Sequence, residues 1–281
     1  IAKRIVIVYT MLVVICTITL DLCGMSWFDA VNHAMSSIGT GGFSTKNNSI
    51  AAFNSISIEI VIMFFMLAGS LPLTFYILIF RHGNANKNYQ VSVFLKTVFY
   101  CGLFVSLYLF ATSDYSLAQS LRYSFFNVIS VMTTTGLSST DFVEWGVWTS
   151  AVFMLLSLSG GCTGSTSGSI KIFRWQLIYA YLHKYVLSMV EPNRIIPLRV
   201  GIVNPPQNVI TSVFVYVFSF IISMLLIGVA ISLCGVDFST SLAASVACMT
   251  NVGVGSVEVI GPSGNFAFFS ESVKYLLCFA M

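Results

Sequence analysis

What most restricts the fold of this chain is a series of long, nearly uncharged apolar runs: Ile5–Leu20, Ile56–Phe80, Val91–Ala111, Val209–Leu233 and Phe266–Met281. A helix crossing a hydrocarbon core needs about 20 such residues, and most of these runs qualify. Charged residues make up only 8% of the 281 positions, whereas a soluble domain carries roughly 25%. So little charge cannot cover a water-facing surface, and lipid must be the solvent. Lipid offers no partner to unpaired backbone groups, and the alternation of a membrane barrel is absent, so the runs read as helices. The expected fold class is an all-α integral membrane protein.

The net charge of +3 says little, but its distribution gives an orientation. Basic residues gather at Lys3, Arg4, Arg81, Lys87 and Lys96, and again at Lys171, Arg174, Lys184, Arg194 and Arg199. Acidic residues fall between, at Asp21, Asp29, Asp114, Asp141, Glu144, Asp237 and Glu258. The positive-inside rule puts the basic connections in the cytoplasm and the acidic ones outside. Lys46 and Arg122 break the pattern and have no explanation in the sequence. Seven cysteines without paired spacing, among them Cys16, Cys101, Cys162, Cys248 and Cys278 in apolar or intramembrane stretches, read as buried inert thiols. The chain opens on Ile1 and closes within an apolar run, and both ends read as cut from a longer protein.

One grammar recurs three times: apolar span, acidic patch, half-length helix, Gly/Thr/Ser-rich loop, returning span. The units are 1–90, 91–200 and 201–281. Their loops are Ser37–Ser44, Val131–Ser138 and Cys248–Gly255, which align without gaps and place Gly42, Gly136 and Gly253 in register. The preceding segments, Trp27–Ser37, Ser116–Val131 and Phe238–Met249, are too short to span and fit re-entrant half-helices. Asp29, Ser116, Asp237 and Ser239 sit near their starts, as caps and the helix dipole favour.

Such loops suit a cation without any charged side chain. Irregular backbone at membrane depth is tolerated only where it is buried in protein or lines a watery path. Glycine admits left-handed backbone, so successive carbonyls can face one axis and replace an ion's water. Each half-helix aims the negative end of its dipole at the same point. The candidate ion-filter residues are Gly39, Thr40, Gly41 and Gly42; Thr133, Thr134, Thr135 and Gly136; and Thr250, Asn251, Val252 and Gly253. Potassium would sit at Thr40, Gly41, Thr134, Thr135, Asn251 and Val252. The bland alternative, that the loops are plain turns, has to explain three in register.

These motifs resemble the Trk/Ktr/HKT superfamily of potassium transporters, and Gly160-Gly161-Cys162-Thr163-Gly164-Ser165-Thr166-Ser167-Gly168-Ser169-Ile170-Lys171 resembles its TrkH/TrkG branch. The resemblance implies four repeats around a pseudo-fourfold pore, of which this chain holds the second to fourth. It implies potassium uptake across the bacterial inner membrane, permissive selectivity, a homodimer, and a cytosolic nucleotide-binding TrkA-like regulatory subunit. The family's Arg on the final helix would lie beyond Met281. Whether flux is channel-like or an ion-coupled symport stays open.

The segment Trp148–Lys184 is too long for a single span, and its middle is almost entirely Gly, Ser, Thr and Cys. By the resemblance, residues 160–168 with Lys171 form an intramembrane gate loop. Two alternatives stand beside it: a helix-packing face with Gly160, Gly164 and Gly168 at four-residue spacing, and a Ser165 or Ser167 nucleophile, for which His33, His82 and His183 are poorly placed. Lys171 and Arg174 read equally well as snorkelling anchors or as partners of the loop or of a cytosolic protein. The Pro-rich stretch Glu191–Pro206 reads as a cytoplasmic connector. No bound cofactor, nucleic-acid partner or enzymatic activity is expected; potassium is cargo and lipid the surroundings. A non-conducting receptor or scaffold on the same fold is the rival function.

Overall fold

A computed structural model describes residues 2–82, 88–191, 194, 197–201 and 203–281, with the backbone alone at 80–82. Lys87, Pro192 and Asn193, and the side chains of Arg81 and His82, lie outside the described residues.

The first unit opens with α1 (Ala2–Leu22), followed by the half-helix α2 (Trp27–Ile38). Thr17 and Thr19 sit in α1 without leaving polar groups bare, because their hydroxyls donate to the carbonyls of Val13 and Ile15 one turn back. A 3₁₀ turn at Ser49–Phe53 leads to α3 (Ile56–Ser70) and α4 (Leu73–His82). The run Ile56–Phe80, read from sequence as a single span, is thus two helices bent by 92°. Pro72 cannot donate a helical hydrogen bond and disfavours helix in the residue before it. The carbonyls freed at Gly69 and Ser70 take partners from the intramembrane loop instead.

The second unit holds α5 (Tyr89–Thr112), α6 (Leu117–Met132), α7 (Val147–Ser157) and α8 (Ile172–Val190). Between α7 and α8 runs the irregular segment, closed at its neck by a two-residue parallel ladder of Ser159–Gly160 (β1) with Ile170–Lys171 (β2). Gly160 and Gly168 therefore do not lie on a helix face, and the helix-packing alternative falls. The third unit holds α9 (Gln207–Leu233), α10 (Phe238–Met249) and α11 (Glu271–Ala280). Phe266–Met281 does not form one span: Phe266–Phe268 is a 3₁₀ turn, and the helix starts only at Glu271, after the Ser270 cap.

Three described helices, α1, α5 and α9, are long and apolar enough to cross a membrane, and the bent α3–α4 pair makes a fourth candidate. Each is lined up beside its half-helix: α1 with α2, α5 with α6, α9 with α10. One apolar core joins the first two units through Ile62, Met66, Phe94, Phe126 and Met132. The third unit has its own cluster around Ile231, Ala244 and Val273. All seven cysteines are free. Cys16, Cys162 and Cys248 are buried as expected, but Cys101 is half-buried and Cys278 is exposed on the outer face of α11.

Candidate ion filter and gate loop

Three half-helices end in the same backbone pattern. Their caps fix where each one starts. Ser26 accepts from the Asp29 amide and Ser116 forms a capping box with Gln119, while Asp237 accepts from Ser239 and Thr240. Asp29 is therefore not itself the cap; its carboxylate accepts from the Ser26 and Thr45 hydroxyls at 2.8 and 2.6 Å. At the other end Gly39, Thr133 and Thr250 are right-handed, with φ of −75°, −81° and −79°. The next residue is left-handed in every loop: Thr40 at 50°, Thr134 at 58°, Asn251 at 58°. Two residues on, Gly42, Gly136 and Gly253 are left-handed again, at 72°, 80° and 80°.

The hydrogen bonds repeat as closely. The amides of Gly41, Thr135 and Val252 donate to Ser36, Ser130 and Ala247 at 2.8, 2.9 and 3.1 Å. The amides of Thr40, Thr134 and Asn251 donate to Ser37, Val131 and Cys248. These bonds turn the amides back onto the half-helix. Among the described residues no donor reaches the carbonyls of Thr40, Gly41, Thr134, Thr135, Asn251 or Val252. Left-handed threonine costs on the order of 1 kcal/mol or more, so Thr40 and Thr134 hold a strain that plain turns would shed.

The loops stand side by side in one sense. A Cβ on Gly42 would run into the Thr135 carbonyl, and one on Gly136 into the Val252 carbonyl, while one on Gly253 would meet nothing within 4 Å. Between the first two units, the amides of Ile50 and Ala51 donate to Ser138, and Arg122 forms a two-pronged ion pair with Glu59 at 2.6 and 2.7 Å. Arg122, unexplained from sequence, thus ties α6 to α3; Lys46 lies 3.7 Å from Asp29.

The irregular segment touches all three loops. Thr166 Oγ1 sits 2.9 Å from the Ile38 carbonyl and 3.0 Å from that of Gly69, with the Thr40 hydroxyl 3.5 Å away. The Gly168 amide donates to Thr134 Oγ1 at 2.7 Å. A Cβ on Gly168 would come within 2.9 Å of the Thr250 carbonyl and of the Asn251 Cβ. On its other side the segment fills the α3–α4 break: the Cys162 amide donates to Ser70 at 2.9 Å, and the Leu73 amide donates to Gly164 at 3.0 Å. Gly161 and Cys162 are buried, and Thr163 and Gly164 form an exposed tip. The Ser167 hydroxyl accepts from the Gly161 amide at 3.0 Å and pairs with the Ser165 hydroxyl at 2.8 Å.

Among the described residues no histidine hydrogen-bonds to Ser165 or Ser167, so nothing there supports the hydrolase alternative. The His33 ring is bonded to the Asp29 carbonyl and the Ser44 hydroxyl, and His183 stacks on Tyr179. Lys171 Nζ lies 3.4 Å from Ser165 Oγ and also donates to the carbonyls of Ser165 and Ser167. Lys171 does not snorkel outward, and Arg174 packs over the Tyr216 ring at 3.7 Å.

The family model described as "TrkH: Cation transport protein" matches residues 1–106 and 106–281. The chain belongs to the TrkH cation transport family. It is 33% identical over its whole length to the Trk system potassium uptake protein TrkI of Halomonas elongata, of which it covers 58%. It is 28% identical to the Trk system potassium uptake protein TrkG of Escherichia coli, over 98% of this chain and 57% of that protein. The crystal structure of the potassium transporter TrkH from Vibrio parahaemolyticus superposes with a TM-score of 0.93 at 26% identity, over 100% of this chain and 60% of that one. The chain thus spans somewhat more than half the length of these relatives, and it is a multi-pass inner-membrane protein.

Within this TrkH-family fold, sequence reasoning missed the α3–α4 break and its union with the irregular segment. The signal was Gly69-Ser70-Leu71-Pro72, which places a close-packing glycine and a proline in mid-run. A Cβ on Gly69 would lie 2.6 Å from the Ile38 carbonyl.

Proposed function

We propose that this chain forms most of the conducting unit of a potassium uptake protein, with the three loops as sectors of its filter and residues 160–168 as its gate. The observation that carries the reading is the set of six carbonyls without donors, held by the same right–left–glycine backbone in three loops. Buried acceptors are rarely left unpaired, and Thr40, Thr134, Thr135 and Val252 are buried, while Gly41 and Asn251 are exposed. A non-conducting scaffold gives no reason for that cost, whereas a dehydrated monovalent cation needs those oxygens. The names of the relatives point to potassium as the cargo.

The open space beside Gly253 supports a ring completed by a fourth loop elsewhere in the full protein. A homodimer and a cytosolic TrkA-like nucleotide-binding subunit belong to the same reading and rest on the family. The test is growth at low potassium of a bacterial strain without its own uptake systems. The full-length protein should restore growth, and its Gly136→Ser variant, at equal membrane abundance, should not. Equal growth with both, or none with either, contradicts the reading.

A further inference from the structure

The gate reading counts Lys171 with the loop without saying what its ammonium does, and its surroundings are unusual for a cation. Its Nζ donates to the Ser167 carbonyl and lies 3.4 Å from both the carbonyl and the hydroxyl oxygen of Ser165. None of the ion pairs among the described residues includes it. A charge at membrane depth is costly unless polar groups replace its water. Here the replacement is a set of oxygens from irregular backbone, the kind of ligand that a dehydrated potassium ion takes.

Their convergence is built by the loop. Gly164 at φ 86° and Ser169 at 57° turn the chain on either side of them. The Ser165 amide and hydroxyl both bond to the Cys162 carbonyl, which tightens the turn. The parallel ladder at the neck brings Lys171 back beside the residues its ammonium reaches.

We infer that Lys171 is a tethered cation: its ammonium fills a monovalent-cation site made by the Ser165 and Ser167 carbonyls and the Ser165 hydroxyl, and so keeps the loop latched to the filter. The inference rests on the reading of residues 160–168 as a gate and adds the group that sets its closed state. With the ammonium in place the turn is cross-linked, and Gly168 is held where its amide meets Thr134. An ion leaving the filter meets a fixed positive charge and ligands already in use. Once the ammonium withdraws, the turn can extend and the latch can release. A snorkelling anchor would instead send its charge to water, and its loss would leave the loop unchanged.

Cys162 supplies the readout, since its thiol is buried in the closed loop. The experiment uses the full-length protein in proteoliposomes and follows alkylation of Cys162 by a water-soluble maleimide, read by mass spectrometry. Lys171→Gln should speed labelling about tenfold or more, the effect of losing charge-assisted hydrogen bonds. Lys171→Arg should remain near wild type. In Lys171→Gln, potassium at high concentration should slow labelling while choline does not, because the ion takes the vacated oxygens. Lys171→Met, which keeps the alkyl stem, replaces the Gln variant if that one does not accumulate. Wild-type labelling in the neutral variants, or no difference between potassium and choline, overturns the inference. Rubidium uptake run in parallel separates the two claims: a wild-type protein that moves no rubidium refutes the pore, while labelling still decides the tether.

Discussion

The backbone amide of Gly168 donates to the hydroxyl of Thr134 at 2.7 Å, joining the irregular segment of one broken helix to the left-handed residue of a filter-like loop. The irregular segment is therefore bonded directly to that loop. Thr134→Val removes the acceptor at constant shape. Loss of one neutral hydrogen bond, about 1 kcal/mol, should raise loop opening roughly fivefold. Alkylation of Cys162 measures this, and Thr134→Ser should behave as wild type.

Gly168→Ala presses the same contact from the other direction. Its methyl would come within 2.9 Å of the Thr250 carbonyl, and neither backbone can yield cheaply. The loop is expected to leave the third filter loop, giving faster Cys162 labelling and a larger rubidium leak. A leak no greater than that of wild type would contradict the contact.

The left-handed glycines of the three loops differ in what a methyl would strike. Left-handed backbone alone costs an alanine roughly 1 kcal/mol. At Gly42 and Gly136 the methyl would also collide with the next loop's carbonyl, at Thr135 and Val252. Both alanine variants should lose rubidium uptake by more than tenfold. In the full-length protein Gly253→Ala should be as damaging, because a fourth loop is expected beside it. A mild Gly253→Ala effect would count against a ring of four.

Much of this was legible in the sequence. The half-helix Phe238–Met249 begins and ends where its apolar run and Asp237 cap place it, and the three glycines fall in register because the repeat preserves their left-handed backbone. What escaped depended on contacts between units. Thr166 meets Ile38 across 128 positions, and Glu59 meets Arg122 across 63; no local pattern encodes either. The bend at Pro72 was locally marked but hidden by uninterrupted hydrophobicity, which reports lipid exposure rather than helix continuity.

The Glu59–Arg122 pair gives a stability prediction. The Glu59 side chain is only 2% exposed and that of Arg122 20%. Removing one partner of a buried pair strands the other, at about 3 kcal/mol or more. Glu59→Gln should lower the thermal midpoint in detergent by several degrees. The double variant Glu59→Leu with Arg122→Leu should recover most of that loss. Equal midpoints for Glu59→Gln and wild type would show that the pair contributes nothing.

Ion density at the three loops is the most direct test of the central claim. Crystals of the full-length protein grown in rubidium should show anomalous peaks between the carbonyl levels of Thr134 and Thr135, shared with Thr40, Gly41, Asn251 and Val252. Replacing rubidium with choline should abolish them. No rubidium at those oxygens, in a protein that still transports it, would place the ion path elsewhere and contradict the filter.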